Sequence, residues 1–354
     1  MRLWLLAMNG SRSTSIPKWR LSKPGNMKVF VSGSTGFIGI QLVKRLVEDG
    51  HTVHALYRSK SKAELIRHQN VKLFKGDILD KVSLDHALTG CDEAYHTAAF
   101  AGVWAKDPEM VFRLNVDGAL NVIEVAGKHG VRRVVLTSTA GILGPSEKEA
   151  VHESSPAPIS FFTDYEASKF QLEQQFLGRT ETGPEVVIVN PTRVYGPGYM
   201  SESNGVTKMI KQYVEGKWRL IPGDGNSSGN YVYVEDVVSG HMLAMQNGRP
   251  GERYVLGGEN ISYNQLFEYV REASGVRHKL FKIPLWIMLA AAGVMKGISR
   301  ISGRPPLIVP KLVQKFNHNW IVSSEKAIRD LVYKPINARA GIQLTVQWIK
   351  NSKS

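Results

Sequence analysis

A glycine-rich turn between a buried strand and a helix is the feature that most limits how this chain can fold. Lys28–Ser32 is a short run with β-branched residues, as expected of a buried parallel strand, and an apolar stripe at helical spacing continues as far as Val47. The turn between them carries Gly33, Gly36 and Gly39. Glycines in this context permit a tight bend and bring the N-terminus of the helix against phosphate groups. The stretch therefore predicts a dinucleotide-binding βα unit.

Strand-like and helix-like stretches continue to alternate through the first half of the chain. The further strand-like runs are Thr52–Tyr57, Val71–Phe74, Ala94–Thr97, Arg133–Ser138 and Val186–Asn190. This alternation predicts an α/β fold with a doubly wound parallel sheet of the Rossmann type and right-handed crossovers. We expect the dinucleotide-binding domain to span residues 27–190, with residues 231–245 returning to it. A smaller C-terminal, substrate-binding lobe would comprise residues 191–230 and 246–354.

Positive charge is concentrated at the ends of this chain, whose formal net charge is +14. Residues 275–354 contain fourteen basic and two acidic residues, whereas residues 28–274 are close to neutral. The basic segments lack the aromatic-interleaved motif of a nucleic-acid reader, so the sequence predicts no nucleic-acid partner. Two interpretations stay open: a solvated basic face, or peripheral contact of the basic C-terminal lobe with an anionic membrane.

The cysteine count and the apolar runs favour a cytoplasmic protein. Cys91 is the only cysteine, so the chain can form no intrachain disulfide, and no thiol cluster indicates a metal site. The longest apolar candidate, Ile283–Val294, is interrupted by Pro284 and is shorter than the roughly 18 residues of a membrane span. Residues 1–26 are basic, serine-containing and free of acids. They suit an organelle-targeting leader, a disordered extension, or an extension upstream of a true start at Met27.

Residues at the strand ends predict which dinucleotide is bound. Arg58 follows the second strand, where NAD-binding sites usually place an acid for the ribose 2′-hydroxyl. Because Arg58 can meet a 2′-phosphate instead, NADP(H) is favoured and NAD(H) is the alternative. Asp77 follows the third strand and can accept a hydrogen bond from the adenine amino group. The small Ala98 and Ala99 let the cofactor lie against the end of the fourth strand.

A hydroxyl, a phenol and an amine follow the fifth strand. Thr139 comes just after its carboxyl end, where ligands bind in open α/β sheets. Tyr165 and Lys169 are four residues apart on a helix-like segment, so they share one helical face. A free tyrosine has a pKa of about 10 and is a poor base near neutrality. We expect the Lys169 cation to lower the pKa of Tyr165, so that the phenol exchanges a proton with an alcohol or carbonyl during hydride transfer.

These residues belong to a longer set of motifs that spans most of the chain. The set is SGSTGFIG at 32–39, GDILD at 76–80, HTAA at 96–99, NVDGALNV at 115–122, LTSTAG at 136–141, YEASK at 165–169, NPTRVYGPG at 190–198 and YVYVEDV at 231–237. Through these motifs the chain resembles the extended short-chain dehydrogenases/reductases of the NAD-dependent epimerase/dehydratase superfamily. Its C-terminal segment is similar to that of the dihydroflavonol-reductase-like branch and of farnesol dehydrogenase.

The resemblance implies a role for each matching residue. Tyr165 is the implied general acid/base, and Lys169 its modulator and a ligand of the nicotinamide ribose. Thr139 is implied to orient the substrate oxygen, with Ser138 as the alternative, and Asn115 to lie behind the site. Cofactor contacts are implied for Gly33, Ser34, Thr35, Gly36, Phe37, Ile38, Gly39, Arg58, Asp77, Ile78, Ala98, Ala99, Tyr165, Lys169, Pro191 and Val194. A homodimer through paired helices, one of them carrying Tyr165, is also implied.

Apolar residues near these motifs predict a small hydrophobic substrate. The candidate contacts are Phe100, Trp104, Phe162 and Tyr199. Ala140 and Gly141 stand where sugar-nucleotide 4,6-dehydratases have an Asp-Glu pair, which disfavours dehydration. We expect an NAD(P)-dependent oxidoreductase that interconverts a flavonoid-, isoprenoid- or steroid-like alcohol and its ketone or aldehyde. The alternatives are a nucleotide-sugar 4-epimerase with tightly bound NAD and, in another class, a non-catalytic NADPH-binding sensor or assembly module.

Overall fold

The computed structural model describes residues 26–102, 104–147, 149–178, 183–200, 204–302 and 309–352, with side chains described for all of these except 300–302. The expected leader therefore lies outside the described residues, apart from Asn26. The strands are β1 (Lys28–Ser32), β2 (Thr52–Tyr57), β3 (Val71–Lys75), β4 (Glu93–His96), β5 (Arg133–Thr137), β6 (Glu185–Pro191), β7 (Arg193–Tyr195), β8 (Leu220–Pro222), β9 (Ser228–Tyr233), β10 (Arg253–Leu256), β11 (Glu259–Ser262) and β12 (Phe281–Ile283). The α-helices are α1 (Phe37–Glu48), α2 (Lys60–Ala63), α3 (Lys81–Leu88), α4 (Pro108–Phe112), α5 (Gly118–Lys128), α6 (Asp164–Glu173), α7 (Gly205–Val214), α8 (Val234–Asn247), α9 (Tyr263–Ser274), α10 (Leu285–Ser302), α11 (Pro310–Gln314), α12 (Glu325–Leu331) and α13 (Ala338–Asn351).

A seven-stranded parallel sheet forms the centre of the molecule. Its order is β10-β6-β5-β4-β1-β2-β3, and each neighbouring pair runs parallel. The chain builds outward from β1 to β3, then starts again on the other side of β1 with β4. In open α/β sheets, ligands bind at the carboxyl ends of the strands beside this change of direction. The predicted doubly wound parallel fold is confirmed.

Alternation along the strands divides the buried side chains of the sheet between two cores. Val29 and Val31 of β1 face the core that contains α1 and α8, whereas Phe30 faces the core that contains α3 and α5. The same period of two separates Val187 from Ile188 in β6. Because both faces are covered by helices, the strands are apolar on both sides, which is why they read as β-branched runs.

A smaller lobe sits on the chain after β6. It contains the three-stranded sheet β11-β9-β7 and the parallel pair β12-β8. Helices α7, α9 and α13 pack on it around a separate core that includes Tyr213, Phe267 and Ile342. This lobe starts immediately after β6, because only Thr192 separates β6 from β7.

The chain passes between the two units more often than the predicted boundaries imply. α8 packs on β5 and β6, as residues 231–245 were expected to do, but Tyr231–Tyr233 belong to β9 of the small sheet. β10 lies beside β6 in the main sheet, although residues 246–354 were assigned to the lobe. α12 then packs on α8 and β10 before α13 returns to the lobe. β10 is four residues long and is followed by two glycines that lead into β11 and not into a helix, so the βα pattern used for the other strands did not predict its place in the sheet.

The apolar stretch Ile283–Val294 begins at the last residue of β12 and continues into α10. Among the residues described, no helix combines the length and apolarity that crossing a membrane requires. α10 instead leaves several large apolar side chains exposed, including Trp286 and Val294.

Candidate active site

The turn from β1 into α1 has no room for side chains at two of its glycines. Gly33 has a φ of 67°, and a Cβ there would lie 2.5 Å from the backbone nitrogen of Ala98. A Cβ on Gly39 would lie 2.1 Å from the carbonyl oxygen of Gly33. The Gly36 N–H donates to that carbonyl at 2.9 Å. Glycine therefore allows the strand end, the turn and the start of the helix to pack directly on one another.

The N-terminus of α1 fits a pyrophosphate group. Its N-cap is Gly36, which has no side chain to cap the helix, and its first turn carries no acidic residue. The partial positive charge of the helix end is thus left for an anionic ligand. Thr35 and Ile38 are partly exposed at this end, whereas Phe37 is buried. The buried Ser34 hydroxyl donates to a carbonyl of β2 at 2.7 Å, so Ser34 holds the turn against the sheet.

The predicted adenosine end of the site lies at the carboxyl ends of β2 and β3. The guanidinium of Arg58, a side chain that is 72% exposed, lies 3.7 Å from a carboxylate oxygen of Asp77. The other oxygen of Asp77 accepts from the N–H of Leu79 at 3.0 Å. Ile78 is buried and would contact any side chain at Gly118. One cation and one carboxylate therefore stand together where the sequence places the adenosine half of a cofactor.

The predicted nicotinamide end lies at the junction of the main sheet and the lobe. Ala98 and Ala99 follow β4, and Ala99 is exposed. Pro191 is the last residue of β6 and is buried. Val194 is partly exposed in β7, where it is the register partner of Val232. Ala98, Ala99 and Pro191 lie at the same edge of the main sheet as the glycine turn, because β1, β4 and β6 run parallel.

Helix α6 brings the predicted catalytic groups to the end of β5. A capping box fixes its first turn. Tyr165 is partly exposed, and its phenol lies near enough to the Thr139 hydroxyl for that hydroxyl to oppose part of the rise in the pKa of Tyr165. One turn later, Lys169 is 1% exposed and donates to the carbonyl of Thr137 at 2.8 Å. Ser138 is buried, so Thr139 is the hydroxyl that meets the phenol.

The pKa of Tyr165 is not the one expected from its spacing to Lys169. Burial raises the pKa of Tyr165 to about 12, and the nearby Thr139 hydroxyl offsets only part of this effect. Burial lowers the pKa of Lys169 to about 8, against the opposing influence of the Glu173 carboxylate. In the protein without cofactor, burial therefore outweighs any lowering of the Tyr165 pKa by Lys169, and the expected lowering beside a bound nicotinamide stays a prediction. The loss of solvent around the phenol dominates, and the ammonium is directed at a carbonyl of β5.

We expect turnover in the reducing direction to fall as the pH rises through about 8. Below this pH Lys169 carries its charge, and above it Lys169 loses a proton while Tyr165 keeps its own. The measurement is kcat/KM for carbonyl reduction between about pH 6 and pH 10. Lys169→Arg stays charged throughout and should move the fall to higher pH. A profile unchanged by that substitution would contradict the assignment.

Asn115 lies behind the catalytic helix in a π-helical turn, Arg113–Asp117, between α4 and α5. It is fully buried, and its side-chain amide is used within the fold. The amide oxygen accepts from the Phe100 N–H at 2.7 Å, and the nitrogen donates to the Ser168 hydroxyl at 2.9 Å. Because Ser168 adjoins Lys169, Asn115 ties the loop after β4 to the catalytic helix. π-helical turns of this kind often occur at functional sites.

Two buried contacts behind α6 have no counterpart in the sequence analysis. Nε2 of His241, on α8, lies 2.9 Å from the Thr137 hydroxyl across 104 residues of chain. Glu173, which is fully buried, pairs with Arg253 at 3.1 Å across 80 residues and accepts from Asn190 at 2.6 Å. No local pattern connects residues so far apart. Homologous sequences with paired changes at these positions are the signal that reveals such contacts.

An aromatic wall, defined here as Phe162, His318 and Trp320, stands beside the catalytic helix. The Phe162 ring centroid lies 5.7 Å from the centroids of both His318 and Trp320. The Lys315 ammonium lies 4.8 Å from the Trp320 ring centroid and pairs with Glu166, the neighbour of Tyr165. Phe162 is one of the substrate contacts predicted from the sequence, whereas its two partners come from the far end of the chain and were not predicted.

The other predicted substrate residues are more dispersed. Phe100 and Trp104 follow β4 and are both partly exposed. Tyr199 is 37% exposed, and the Lys62 ammonium lies 5.3 Å from its ring centroid, which places Tyr199 beside α2. Within the described part of the chain, no group of three or more His, Cys, Asp or Glu side chains is arranged to hold a metal ion.

We expect Gly39→Ala to weaken binding of a dinucleotide and to destabilise the fold. The added Cβ would lie 2.1 Å from the Gly33 carbonyl oxygen, so the turn and the helix start must separate. Overpacking of this kind costs about 1–3 kcal/mol. Titration with NAD and NADP, together with denaturant unfolding, measures both effects. Gly205→Ala is the matched control, because a Cβ there has no neighbour within 4 Å; equal losses in the two variants would contradict the explanation.

Comparison with known proteins places these features in a family. The model of the NAD dependent epimerase/dehydratase family matches residues 29–257. A protein of Synechocystis sp. named for dihydroflavonol 4-reductase is 30% identical over 328 residues, covering 91% of this chain and 94% of that protein. Sterol demethylase protein B of Methylococcus capsulatus is 30% identical over 334 residues, covering 92% and 98%.

Solved structures agree with this placement. The crystal structure of gox2253 matches with a TM-score of 0.78 at 30% identity, over 92% of this chain and 99% of that one. The UDP-glucose 4-epimerase of Thermotoga maritima, solved with UDP-glucose, matches with a TM-score of 0.75 at 25% identity, over 93% of this chain and all of that one. The likeness extends across the main sheet and the lobe.

Proposed function

This chain belongs to the NAD dependent epimerase/dehydratase family, and we propose that it interconverts a hydrophobic alcohol and its ketone or aldehyde, with NADP(H) as the preferred cofactor. Relatives in this family are named reductases and dehydrogenases, so the chain is an NAD-dependent enzyme of that kind. The observation that carries the proposed chemistry is the placement of the Tyr165 phenol near the Thr139 hydroxyl at the end of β5, with Lys169 one turn away on α6.

Each catalytic residue has a distinct task in this proposal. A bound nicotinamide cofactor supplies or accepts the hydride. Thr139 donates a hydrogen bond to the substrate oxygen and fixes its position at the end of β5. Tyr165 gives its proton to that oxygen in the reducing direction and takes one in the oxidising direction. The pKa of about 12 keeps the phenol protonated at neutral pH, which suits the donating role. Lys169 would hold the nicotinamide ribose hydroxyls when the cofactor is bound.

The aromatic wall supports a hydrophobic substrate. Phe162 and Trp320 pack edge to face beside Tyr165, and Phe161 packs on Phe170 of the same helix. The position after Thr139 holds Ala140, so it supplies no second acid/base group for a dehydration. Relatives named for sterol demethylase, 3-beta-hydroxysteroid dehydrogenase and a farnesyl-quinoline ketoreductase favour the same substrate class.

A nucleotide-sugar 4-epimerase is the second candidate, favoured by the similarity to the Thermotoga maritima enzyme. The two functions differ in the fate of the cofactor. A reductase consumes one reduced cofactor for each substrate, whereas an epimerase returns the hydride and leaves the cofactor unchanged. Absorbance of the reduced cofactor, followed with a panel of hydrophobic ketones and with UDP-glucose, separates them. Stoichiometric oxidation with a ketone supports the proposal; epimerised sugar without net oxidation overturns it.

We expect Arg58→Ala to weaken NADP(H) binding by roughly 10- to 100-fold and to leave NAD(H) binding nearly unchanged. This range corresponds to the loss of one hydrogen bond to a charged group. Arg58 is exposed and its partner Asp77 is 3.7 Å away, so it is free to turn towards a 2′-phosphate. Isothermal titration with both cofactors gives the ratio. Arg67→Ala removes another exposed arginine, paired with Glu64, as the control. Equal weakening of both cofactors by Arg58→Ala would refute the assigned preference.

A further inference from the structure

Exposed apolar side chains concentrate on one face of the lobe. Thirteen large hydrophobic residues are exposed in the described part of the chain, and six of them belong to β8, β12 and α10. These six form what is called here the apolar face: Leu220, Phe281, Trp286, Ile287, Val294 and Ile298. Apolar side chains exposed singly are ordinary, whereas a contiguous group marks an interaction surface.

The members of the apolar face come from a strand pair and from the helix that follows it, and the two parts adjoin where a Cβ on Gly223, just after β8, would lie 3.7 Å from Leu285 of α10. Leu220 and Phe281 are register partners in the parallel pair β8-β12. α10 begins after Pro284, and its exposed members Trp286, Ile287, Val294 and Ile298 lie within about 120° of one another around the helix axis. Their side chains are 70%, 42%, 64% and 59% exposed. Grouped apolar side chains of this kind mark interaction surfaces.

The chain segment that carries most of this face is basic, although the acid Asp224, two residues after β8, lies near Lys282. No Asp or Glu occurs between Glu272 and Glu325, a stretch that contains eight Lys and Arg residues. Lys282 and Lys296 are exposed on β12 and α10. The Lys279 ammonium lies 5.3 Å from the Phe281 ring centroid, at the border of the apolar face. Cations at the rim of an exposed apolar stripe are the pattern of a helix that lies in the headgroup region of an anionic membrane.

We propose that the apolar face docks this protein on an anionic lipid surface, with α10 lying parallel to the membrane. Trp286 and Phe281 enter the boundary between headgroups and acyl chains, and Lys282 and Lys296 meet lipid phosphates. Charge complementarity favours lipid over a second copy of the chain, because pairing two such faces brings two acid-free segments of the same sign together. Peripheral docking is also consistent with the lack of a membrane-crossing helix among the described residues.

The docked face is connected to the catalytic helix. α10 packs on α11, which runs into Lys315, the partner of Glu166 beside Tyr165. α11 and Lys315 therefore link the docked helix to the catalytic helix. Delivery of a hydrophobic substrate from the membrane would rest on the proposed function, whereas docking itself does not.

Vesicle flotation with the full chain tests the proposal without substrate or cofactor, so its outcome is independent of the catalytic one. The probes are vesicles of phosphatidylcholine alone and of phosphatidylcholine with about 30% phosphatidylserine. We expect at least about tenfold stronger binding to the anionic vesicles, falling as salt is raised. Val294→Glu should reduce that binding at least about tenfold. Val82→Glu is the matched control, since Val82 is 67% exposed on α3 and lies outside the apolar face.

Two further readouts complete the test. Lys282→Glu combined with Lys296→Glu should lower binding to anionic vesicles and leave any binding to neutral vesicles unaltered. Circular dichroism and unfolding confirm that each variant is folded. The proposal is overturned if the chain ignores both kinds of vesicle, or if Val82→Glu and Val294→Glu have equal effects. It is also overturned if sedimentation shows a dimer that Val294→Glu dissociates, because the face is then an interface between two copies.

Discussion

Tyr165→Phe should lower kcat by roughly 10²- to 10⁴-fold, which is the range typical of removing a general acid. The substitution removes only the hydroxyl that meets Thr139 and leaves the ring and the helix α6 in place. Affinity for the dinucleotide should change little, because the glycine turn and the start of α1 are untouched. Steady-state kinetics and cofactor titration on the same preparation give both quantities.

The control for this prediction is Tyr269→Phe. Tyr269 lies on α9, partly buried against the lobe core, and its ring centroid is 5.0 Å from the guanidinium carbon of Arg339. Loss of the Tyr269 hydroxyl should leave kcat within about twofold of the unsubstituted enzyme, because the change is remote from the reacting groups. If Tyr165→Phe retained full activity, the assigned role of Tyr165 would be refuted, and with it the catalytic reading of the site. The non-catalytic module would then be the better description.

Arg253→Ala should lower the free energy of unfolding by about 3–5 kcal/mol, the usual cost of leaving one partner of a buried ion pair alone. Glu173 is fully buried, and its side chain is held by Arg253 at 3.1 Å and by Asn190 at 2.6 Å. Burial already raises the pKa of Glu173, and Arg253 opposes that effect. Denaturant unfolding monitored by fluorescence and circular dichroism measures the loss.

The pH dependence of this loss has a defined sign. Without Arg253 the pKa of Glu173 rises further above its unfolded value, so the folded state binds a proton that the unfolded state has released. The deficit should therefore grow as the pH rises. Adding Glu173→Gln to Arg253→Ala removes the buried charge and should recover part of the lost free energy of unfolding. Arg67→Ala is the control and should have little effect, because Arg67 belongs to an exposed pair with Glu64. No recovery in the double variant would show that Arg253 acts mainly through packing.

Most of the fold and part of the site could be predicted from short-range features of this sequence. Buried parallel strands are recognisable in the sequence as β-branched runs. The turn after β1 is recognisable by its glycines, which the tight bend requires for steric reasons. The assignments of β1, β2 and the doubly wound sheet depend on such short-range features. The roles of the individual site residues stay predictions, although Thr139, Tyr165 and Lys169 do lie together at the end of β5.

What the sequence could not supply depends on distant parts of the chain or on solvent access. β10 joins the sheet through β6, a pairing that no local pattern encodes. Trp320 reaches Phe162 from the last fifth of the sequence. The pKa of Tyr165 rises because the fold removes water from the phenol, and the spacing to Lys169 says nothing about that. The helical spacing predicted that the two residues share one end of the site, but not that burial would outweigh the effect of Lys169 on the Tyr165 pKa.

The repeated passage of the chain between the main sheet and the lobe has a consequence for how this scaffold diversifies. β6 and β7 are separated by one residue, β9 continues directly into α8, and two glycines connect β10 to β11. Neither unit corresponds to a single contiguous length of gene. Exchange of one contiguous segment would therefore interrupt both units, so a graft that replaces only one of them needs several separate junctions.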